Sequence, residues 1–345
     1  MKKILLSFII MCMSFSQDFE ELYFGTDENL DVMTWNIENF PKNGSITIDY
    51  VSQIIEFLDI DVLAIQEVNN ISSFNQIINQ LDKYEGYLES SWFAGLAYIY
   101  NTETVEINEI YEIYTTSEFW SAFPRSPMVM DMNFMDENYI IINNHYKCCG
   151  DDQLDFNDAG DEETRRYIAN NLLKQYIDSN FPNDKVILLG DLNDDIAESI
   201  NNNVFQMFLD DPQNYFFTDI EIAQGNNSGW SFPNWPSHLD HILITNELFA
   251  HNSYVEVIRI DDFMDNGFSE YDQNISDHRP VALRIIPTIL SQGDINSDGQ
   301  IDVVDIVSLV NIILDNSEYN QIADINGDSL INVVDVIALL NIILN

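Results

Sequence analysis

Positive charge is what this 345-residue chain most lacks: 13 Lys and Arg stand against 58 Asp and Glu, a formal charge of −45 with the histidines neutral. A polyanion is gripped by releasing counterions from clustered lysine and arginine. A free-standing basic nucleic-acid clamp is therefore excluded, and such a partner must be reached through bound metal and a local cationic spot. Cysteine is also scarce, at three, too few for a zinc site with four matched ligands. No apolar run approaches the ~20 residues that a membrane-spanning helix needs. What is present is core-forming material, 46% hydrophobic and 12% aromatic, which excludes a disordered polyanion. The length allows two or three domains.

Lys2 and Lys3 precede an apolar stretch from Ile4 to Phe15 that ends in the small-x-small triplet Ser14, Phe15, Ser16. Residues 1–16 are thus expected to be a secretory signal peptide cut before Gln17, making the protein secreted and extracellular. Cys12 follows Met11 rather than a small residue, which argues against lipidation. Cleavage leaves Cys148 and Cys149, adjacent in sequence; a vicinal disulfide and two thiols both remain open.

Between residues 29 and 287 short apolar runs alternate with amphipathic stretches. The patterning predicts strands at 31–36, 62–66, 95–100, 138–145, 185–189, 240–245 and 280–286, and helices at 46–58, 72–82, 162–178 and 197–209. Several strands end at polar residues, which places the chemistry on the loops. A linker is expected at 288–292 and a second domain at 293–345.

That tail repeats with a 30-residue period: GDINSDGQIDVVDIVSLVNIIL is followed by ADINGDSLINVVDVIALLNIIL. It holds nine acids and no base, so the remaining acidity belongs to the larger domain, where surface solubility is its simplest meaning. In the first repeat, oxygen donors fall at loop positions 1, 3, 5, 9 and 12, as Asp294, Asn296, Asp298, Asp302 and Asp305, with the Gln300 carbonyl at position 7 and Gly299 at the turn. The second offers Asp324, Asn326, Asp328, the Leu330 carbonyl, Asn332 and Asp335 in the same register, with Ser329 in place of the turn glycine. Hard oxygens around a tight loop at this spacing are what Ca²⁺ requires, so two Ca²⁺ are expected. Each loop feeds a helix, Val303 to Leu314 and Val333 to Leu344, apolar nearly all round. Such a helix must bury more than one face, and a unit this small with little core depends on its metal to fold. The tail resembles a type I dockerin, a small all-α module that plugs enzymes onto cohesin domains of a scaffold protein. The resemblance maps partner choice to Val303, Val304, Val333 and Val334. These are apolar where cellulosomal dockerins commonly carry hydroxyl pairs.

Five ordered motifs occupy the larger domain: TWNIENF (34–40), IQEV (65–68), INNHYK (142–147), LGDLNDD (189–195), and the late pair SHLDHIL (237–243) with ISDHRP (275–280). Each is weak alone; GD-x-N by itself is often a turn. In this order they resemble the endonuclease/exonuclease/phosphatase superfamily, which includes pancreatic-type deoxyribonucleases, abasic-site endonucleases, bacterial sphingomyelinases and inositol polyphosphate phosphatases. The resemblance implies a four-layer α/β sandwich, two mixed β-sheets flanked by helices, and attack of water on a phosphate ester with Mg²⁺ or Mn²⁺. A phosphodiester repels nucleophiles and has a poor leaving group, and a hard cation offsets both. By resemblance Glu67, Asn36 and Asp277 would hold that cation. Asp191 would orient and deprotonate the water, with Asn193 beside it. His278 would face the phosphate with Asp240 holding its imidazole charged, and His145 would be a second phosphate-facing imidazole.

FPRSPMV (123–129) is similar to the deoxyribonuclease pattern that sets an arginine against backbone phosphate, which here is Arg125. Arg165 and Arg166 are expected to pair with helix acids such as Glu162 and Glu163, and His241 and His251 to be core histidines. In the pancreatic pattern an acid on the preceding strand orients the histidine at position 145, yet SWFAGLAYIYN (91–101) carries no carboxylate, which weakens His145 as a general acid. The acidic insertion at 148–163 is expected to be an unstructured solvated loop, with a substrate rim or a third metal site as the alternatives, and Trp230, Phe232 and Trp235 are expected to form a substrate-side wall. The leading expectation is a secreted phosphodiesterase, most plausibly a nuclease acting on nucleic acid. A sphingomyelinase-like phospholipase C or a phosphomonoesterase is the alternative among hydrolases, and a catalytically silent binding module is the alternative of another class.

Overall fold

The computed structural model describes residue 19 and residues 21–88, 95–286, 292–296, 300–315 and 322–344. The expected signal peptide, most of the expected linker, and Asp298 with Gly299 lie outside the described residues. Twelve strands are described: β1 Leu30–Phe40, β2 Val62–Val68, β3 Tyr84–Tyr87, β4 Gly95–Asn101, β5 Val105–Glu112, β6 Met128–Phe134, β7 Glu137–His145, β8 Val186–Asp191, β9 Tyr215–Phe217, β10 Asp240–Thr245, β11 Asn252–Val257 and β12 Val281–Ile286. The helices are α1 Ser45–Leu58, α2 Ile71–Ile78, α3 Glu162–Asn180, α4 Gln206–Leu209, α5 Ile220–Ala223, α6 Phe268–Asn274, α7 Val303–Asp315 and α8 Val333–Leu344.

The strands form two six-stranded sheets, in the orders β11-β12-β1-β2-β4-β3 and β5-β6-β7-β8-β10-β9. Both are mixed, since β1 runs parallel to β2 and β7 parallel to β8 while their other neighbours are antiparallel. Successive strand residues point to opposite faces, and the two faces of each sheet meet different partners. Val32, Ala64, Met130, Ile141, Leu189 and Leu283 pack between the sheets. Met33, Trp35 and Leu63 turn the other way, onto Ile54, Ile55 and Phe74 of α1 and α2. Ile142, Leu188 and Leu243 pack on Leu173 and Ile177 of α3. Burial on both faces explains why central strands such as VILLGD and DHILIT read as unbroken apolar runs rather than alternating ones.

The structure departs from the sequence-based expectation at the sheet edges. β3, β11, β5 and β9 are the four edge strands, and none of them, nor β6, was predicted. An edge strand is short and partly wetted, so it lacks the long apolar signature. The helix expected at 197–209 is reduced to the four residues of α4. Asn203 donates its side-chain amide to the Ile196 carbonyl at 3.0 Å and accepts from the Phe205 amide at 2.9 Å; this local bonding competes with helical backbone bonds. α2 likewise stops at Ile78, short of residue 82.

The C-terminal residues build their own apolar cluster, with Leu309 of α7 and Leu339 of α8 packed on Ala323. The preceding loops are drawn in by buried carboxylates. Asp305 accepts from the amides of Ile295 at 2.7 Å, Asn296 at 3.1 Å and Asp302 at 2.8 Å, and Asp335 accepts from Asn332 at 2.8 Å and Asn326 at 3.2 Å. Ser329 sits at φ 65°, a left-handed conformation that favours glycine. Val303, Val304, Val333 and Val334 are all exposed. Among the described residues no helix is long and apolar enough to cross a membrane.

Candidate active site

Strand register alone assembles the centre of the site. β7 and β8 run parallel with His145 opposite Asp191, and β8 and β10 run antiparallel with Asp191 opposite Asp240. Three functional side chains therefore stand in a row across one sheet. Gly190 makes the close pairing possible: at φ 147° it lies where L side chains are disfavoured, and a Cβ there would sit 2.0 Å from the Asn144 carbonyl oxygen. From the other sheet come Asn36 on β1, Glu67 on β2, and the turn before β12 with Asp277 and His278.

These groups meet in one cleft of about 750 Å³, lined by Asn36, Glu67, His145, Asp191, Asn193, Asp277 and His278. Asp191 Oδ2 accepts from Asn36 Nδ2 at 2.9 Å, and lies 3.4 Å from His145 Nε2 and 3.9 Å from His278 Nε2. Glu67 Oε1 lies 3.4 Å from Asn36 Nδ2 and 3.9 Å from His145 Nε2, while its Oε2 accepts from the Asn39 amide at 2.8 Å. His278 Nδ1 lies 2.8 Å from Asp240 Oδ2, and Phe232 packs over the imidazole at 4.8 Å between ring centroids. Asn193 receives its position from the Asp191 carboxylate, to which its amide donates at 3.1 Å. Positive φ angles gather here, at Glu38, Asn39, Glu67 and Asn193, and such backbone strain concentrates at functional sites.

The electrostatics separate the groups. Burial pushes Asp191 up to about 7, with His278 opposing and Asp240 adding to the rise. Burial alone would lower His278, but the carboxylates of Asp240 and Asp191 outweigh it and hold the imidazole at about 10, charged at neutral pH. His145 goes the other way: burial, then the Arg125 and His278 charges, lower it, leaving a neutral ring. Its Nδ1 is buried with no hydrogen-bond partner, in keeping with the missing carboxylate on β4. Carboxylate and amide oxygens outnumber the cationic groups, and Asp240 Oδ1 is buried without a donor. Oxygen-rich, electron-rich surroundings of this kind fit a hard divalent cation.

Each residue expected in the larger domain's site except Arg125 either lines the cleft or bonds a residue that does. Arg125 is half-buried and its charge reaches His145, yet it is not among the lining residues. Arg166 lies 3.3 Å from Glu163, the pairing expected from the sequence. Sequence reasoning missed its wider role: it is buried, borders the cleft, and donates to Asp194 Oδ2 and to the carbonyls of Lys147 and Cys149, each at 2.7 Å; Arg165 instead donates to the Ser121 carbonyl at 2.6 Å. His241 is a core histidine as expected: Nδ1 lies 2.6 Å from Asp219 Oδ2 and Nε2 2.8 Å from the Asp194 carbonyl. Both nitrogens face acceptors, and Asp219 outweighs burial to raise its pKa. His238, not singled out from sequence, bonds the same Asp219 oxygen at 2.9 Å. The Cys148 and Cys149 sulfurs are free thiols 2.8 Å apart at the cleft edge.

Two mixed sheets flanked by helices, with carboxylates and imidazoles facing each other at the strand ends, are the architecture of a family of phosphoester hydrolases. The chain belongs to the endonuclease/exonuclease/phosphatase family, whose model matches residues 33–278. Its fold is similar to that of D. rerio TDP2 solved with a single-stranded DNA product, at TM-score 0.57 and 14% identity over 75% of this chain and 99% of that one. The human nocturnin catalytic domain with bound sulfate is similar at TM-score 0.55 and 15% identity, over 75% and 94% of the two chains. A mannosyl-6-phosphatase from Bacteroides thetaiotaomicron is similar at TM-score 0.51 and 15% identity, over 75% and 100%. No curated protein matches the sequence.

Proposed function

We propose that the protein is a secreted, divalent-metal-dependent phosphodiesterase, an extracellular nuclease held on a scaffold through its C-terminal repeats. One observation carries the catalytic part: Asp191, His278, His145, Asn36 and Glu67, drawn from both sheets, line one cleft, with Asp240 behind His278 at 2.8 Å. Asn36, Glu67 and Asp277 would hold Mg²⁺ or Mn²⁺, which when bound neutralises phosphate charge and steadies the leaving oxygen. Asp191, raised to about 7, is suited to take a proton from water near neutral pH. Asn193 at its side holds a phosphoryl oxygen. His278, charged and braced by Asp240 at 2.8 Å, donates to the phosphate as negative charge gathers there. His145 acts as a neutral donor through Nε2, without the orienting carboxylate that general acid work needs. Arg125 adds positive field from behind.

The nucleic-acid reading is supported by Trp235, 79% exposed at the mouth of the cleft beside Trp230 and Phe232, an aromatic face on which a base can stack. Phosphomonoester hydrolysis is the second reading, favoured by the acids Asp152, Asp195 and Glu198 along the same cleft, which can accept hydrogen bonds from sugar hydroxyls. Purified protein offered plasmid DNA, RNA, sphingomyelin, a sugar phosphate and a bis-aryl phosphate, with Mg²⁺ or EDTA, separates these readings. Release from the nucleic acids only with metal is expected, and preferential release from the lipid or the monoester would remove the nuclease reading.

For the tail, the type I dockerin reading rests on the paired loops and on the exposed valines. Asp294, Asn296, Asp298, Gln300, Asp302 and Asp305 would hold one Ca²⁺, and Asp324, Asn326, Asp328, Leu330, Asn332 and Asp335 the second. The exposed pairs Val303, Val304 and Val333, Val334 would face a cohesin. Pull-down by immobilised cohesins with Ca²⁺ and with chelator tests this; retention that ignores Ca²⁺ would refute it.

A further inference from the structure

Three groups of acids and histidines among the described residues bring ligand atoms within 4.8 Å of one another: Asp191, Asp240 and His278; Asp219, His238 and His241; and Asp151, Asp161 and Glu163. The first belongs to the cleft. The second is saturated, because Asp219 Oδ2 already takes both imidazoles and Oδ1 takes the Ile242 amide at 3.1 Å. The third is different. Glu163 is 1% exposed, and its Oε2 is buried with no hydrogen-bond partner. Its other oxygen, Oε1, accepts from the Asp152 amide at 2.9 Å and lies 3.3 Å from Arg166 Nη2. A bare carboxylate oxygen out of water beside two further carboxylates is costly unless a cation or a proton answers it.

We propose that Asp151, Asp161 and Glu163 form a Ca²⁺ site, separate from the catalytic cation, that fixes the 148–161 loop against α3. The donors are all carboxylate oxygens, with no imidazole or thiolate, which selects a hard cation. The three ligand atoms lie within 4.8 Å of one another, close enough to share one ion, and Ca²⁺ accepts irregular sets of carboxylates and backbone oxygens where Mg²⁺ demands a near-ideal octahedron and keeps its waters. The loop is already closed on this point: Asp152 is tied to Glu163, and the Asp155 amide donates to Asp161 Oδ2 at 3.3 Å. Gly150 lies so close that a Cβ there would meet Glu163 Oε1 at 2.0 Å. The same loop presents Cys148, Cys149, Gly150 and Asp152 to the cleft. Ca²⁺ here therefore shapes one wall of the substrate site, and its loss raises KM more than it lowers kcat.

The full-length chain, stripped of metal and returned to excess Mg²⁺, is titrated with ⁴⁵Ca²⁺ in equilibrium dialysis. The Asp151→Asn/Asp161→Asn double variant is the main test, since Asp151 is exposed, Asp161 half-buried, and asparagine still caps α3. It should bind one Ca²⁺ equivalent fewer than the parent with unchanged circular dichroism. The same equivalent should persist in Asp305→Ala/Asp335→Ala, whose substitutions fall in the tail. Limited proteolysis supplies a second reading: Ca²⁺ should protect the 148–161 loop in the parent and not in the double variant. Equal Ca²⁺ stoichiometry in parent and double variant, or a loop cut equally fast with and without Ca²⁺, overturns the site. Neither measurement depends on the chemistry of the cleft.

Discussion

At the scale of single residues, the cleft works by pulling apart the protonation of neighbouring groups. With Asp191 at about 7 and His278 at about 10, the proposed roles should give a bell-shaped dependence of rate on pH, rising as Asp191 loses its proton and falling as His278 loses its own, with the acid limb lower when a cation is bound. Asp240→Asn removes the carboxylate that opposes burial at His278, so the neutral imidazole gains and the alkaline limb should fall by about a unit or more. A pH-rate profile whose alkaline limb stays in place would show that another group sets it. Trp235 makes a different contribution. Base stacking on an aromatic ring is worth ~1–3 kcal/mol, so Trp235→Ala should raise KM for single-stranded DNA roughly tenfold with kcat unchanged and should spare inorganic-like phosphate esters. Steady-state kinetics on both substrate types checks this. The identities of Asn36, Glu67, Asp191, Asp240 and His278 were readable from motifs, because each stands in a short stretch with its own pattern. The roles of Arg166, Asp219 and His238 were not, because the bonds that fix them, from Arg166 to Asp194 and from His238 and His241 to Asp219, join residues 19 to 28 apart.

At the scale of elements, the site depends on how β7, β8 and β10 align. Gly190→Ala puts a Cβ 2.0 Å from the Asn144 carbonyl at a φ of 147°. The strands must separate locally, and the variant should lose more than about 2 kcal/mol in urea unfolding together with most of its activity. The reverse case is Ser329, whose φ of 65° costs about 1 kcal/mol relative to glycine. In the Ca²⁺ site proposed for the second loop, Ser329→Gly should therefore tighten binding roughly fivefold, read as a lower Ca²⁺ midpoint for tail helicity. Central strands and α1 and α3 were legible because both layers around them are apolar. The edges β3, β5, β9 and β11 were not, since half their surroundings are water or a single neighbour. The Asn-rich stretch before α4 had enough apolar periodicity to suggest a helix, and side-chain bonding by Asn203 decided otherwise.

At the scale of the whole molecule, a formal charge of −45 means that a phosphodiester polymer approaches against repulsion. Proteins that neutralise six to ten phosphates lose affinity steeply with salt. Here the slope of log KM against log monovalent salt should be shallow, below about two in magnitude, measured at fixed saturating Mg²⁺. A steep loss would reveal a basic contact surface instead.

The sequence by itself determined the family, the paired acidic loops of the tail and the central strands, because each is written in contiguous residues whose spacing or apolarity is a local property. The tertiary structure decided which groups touch, which proton each one holds, and that an acidic insertion ends on a carboxylate oxygen without a donor. Those outcomes depend on desolvation and on charges brought in from distant segments, such as Asp240 against His278 at 2.8 Å, and neither quantity exists until the two sheets have closed on each other.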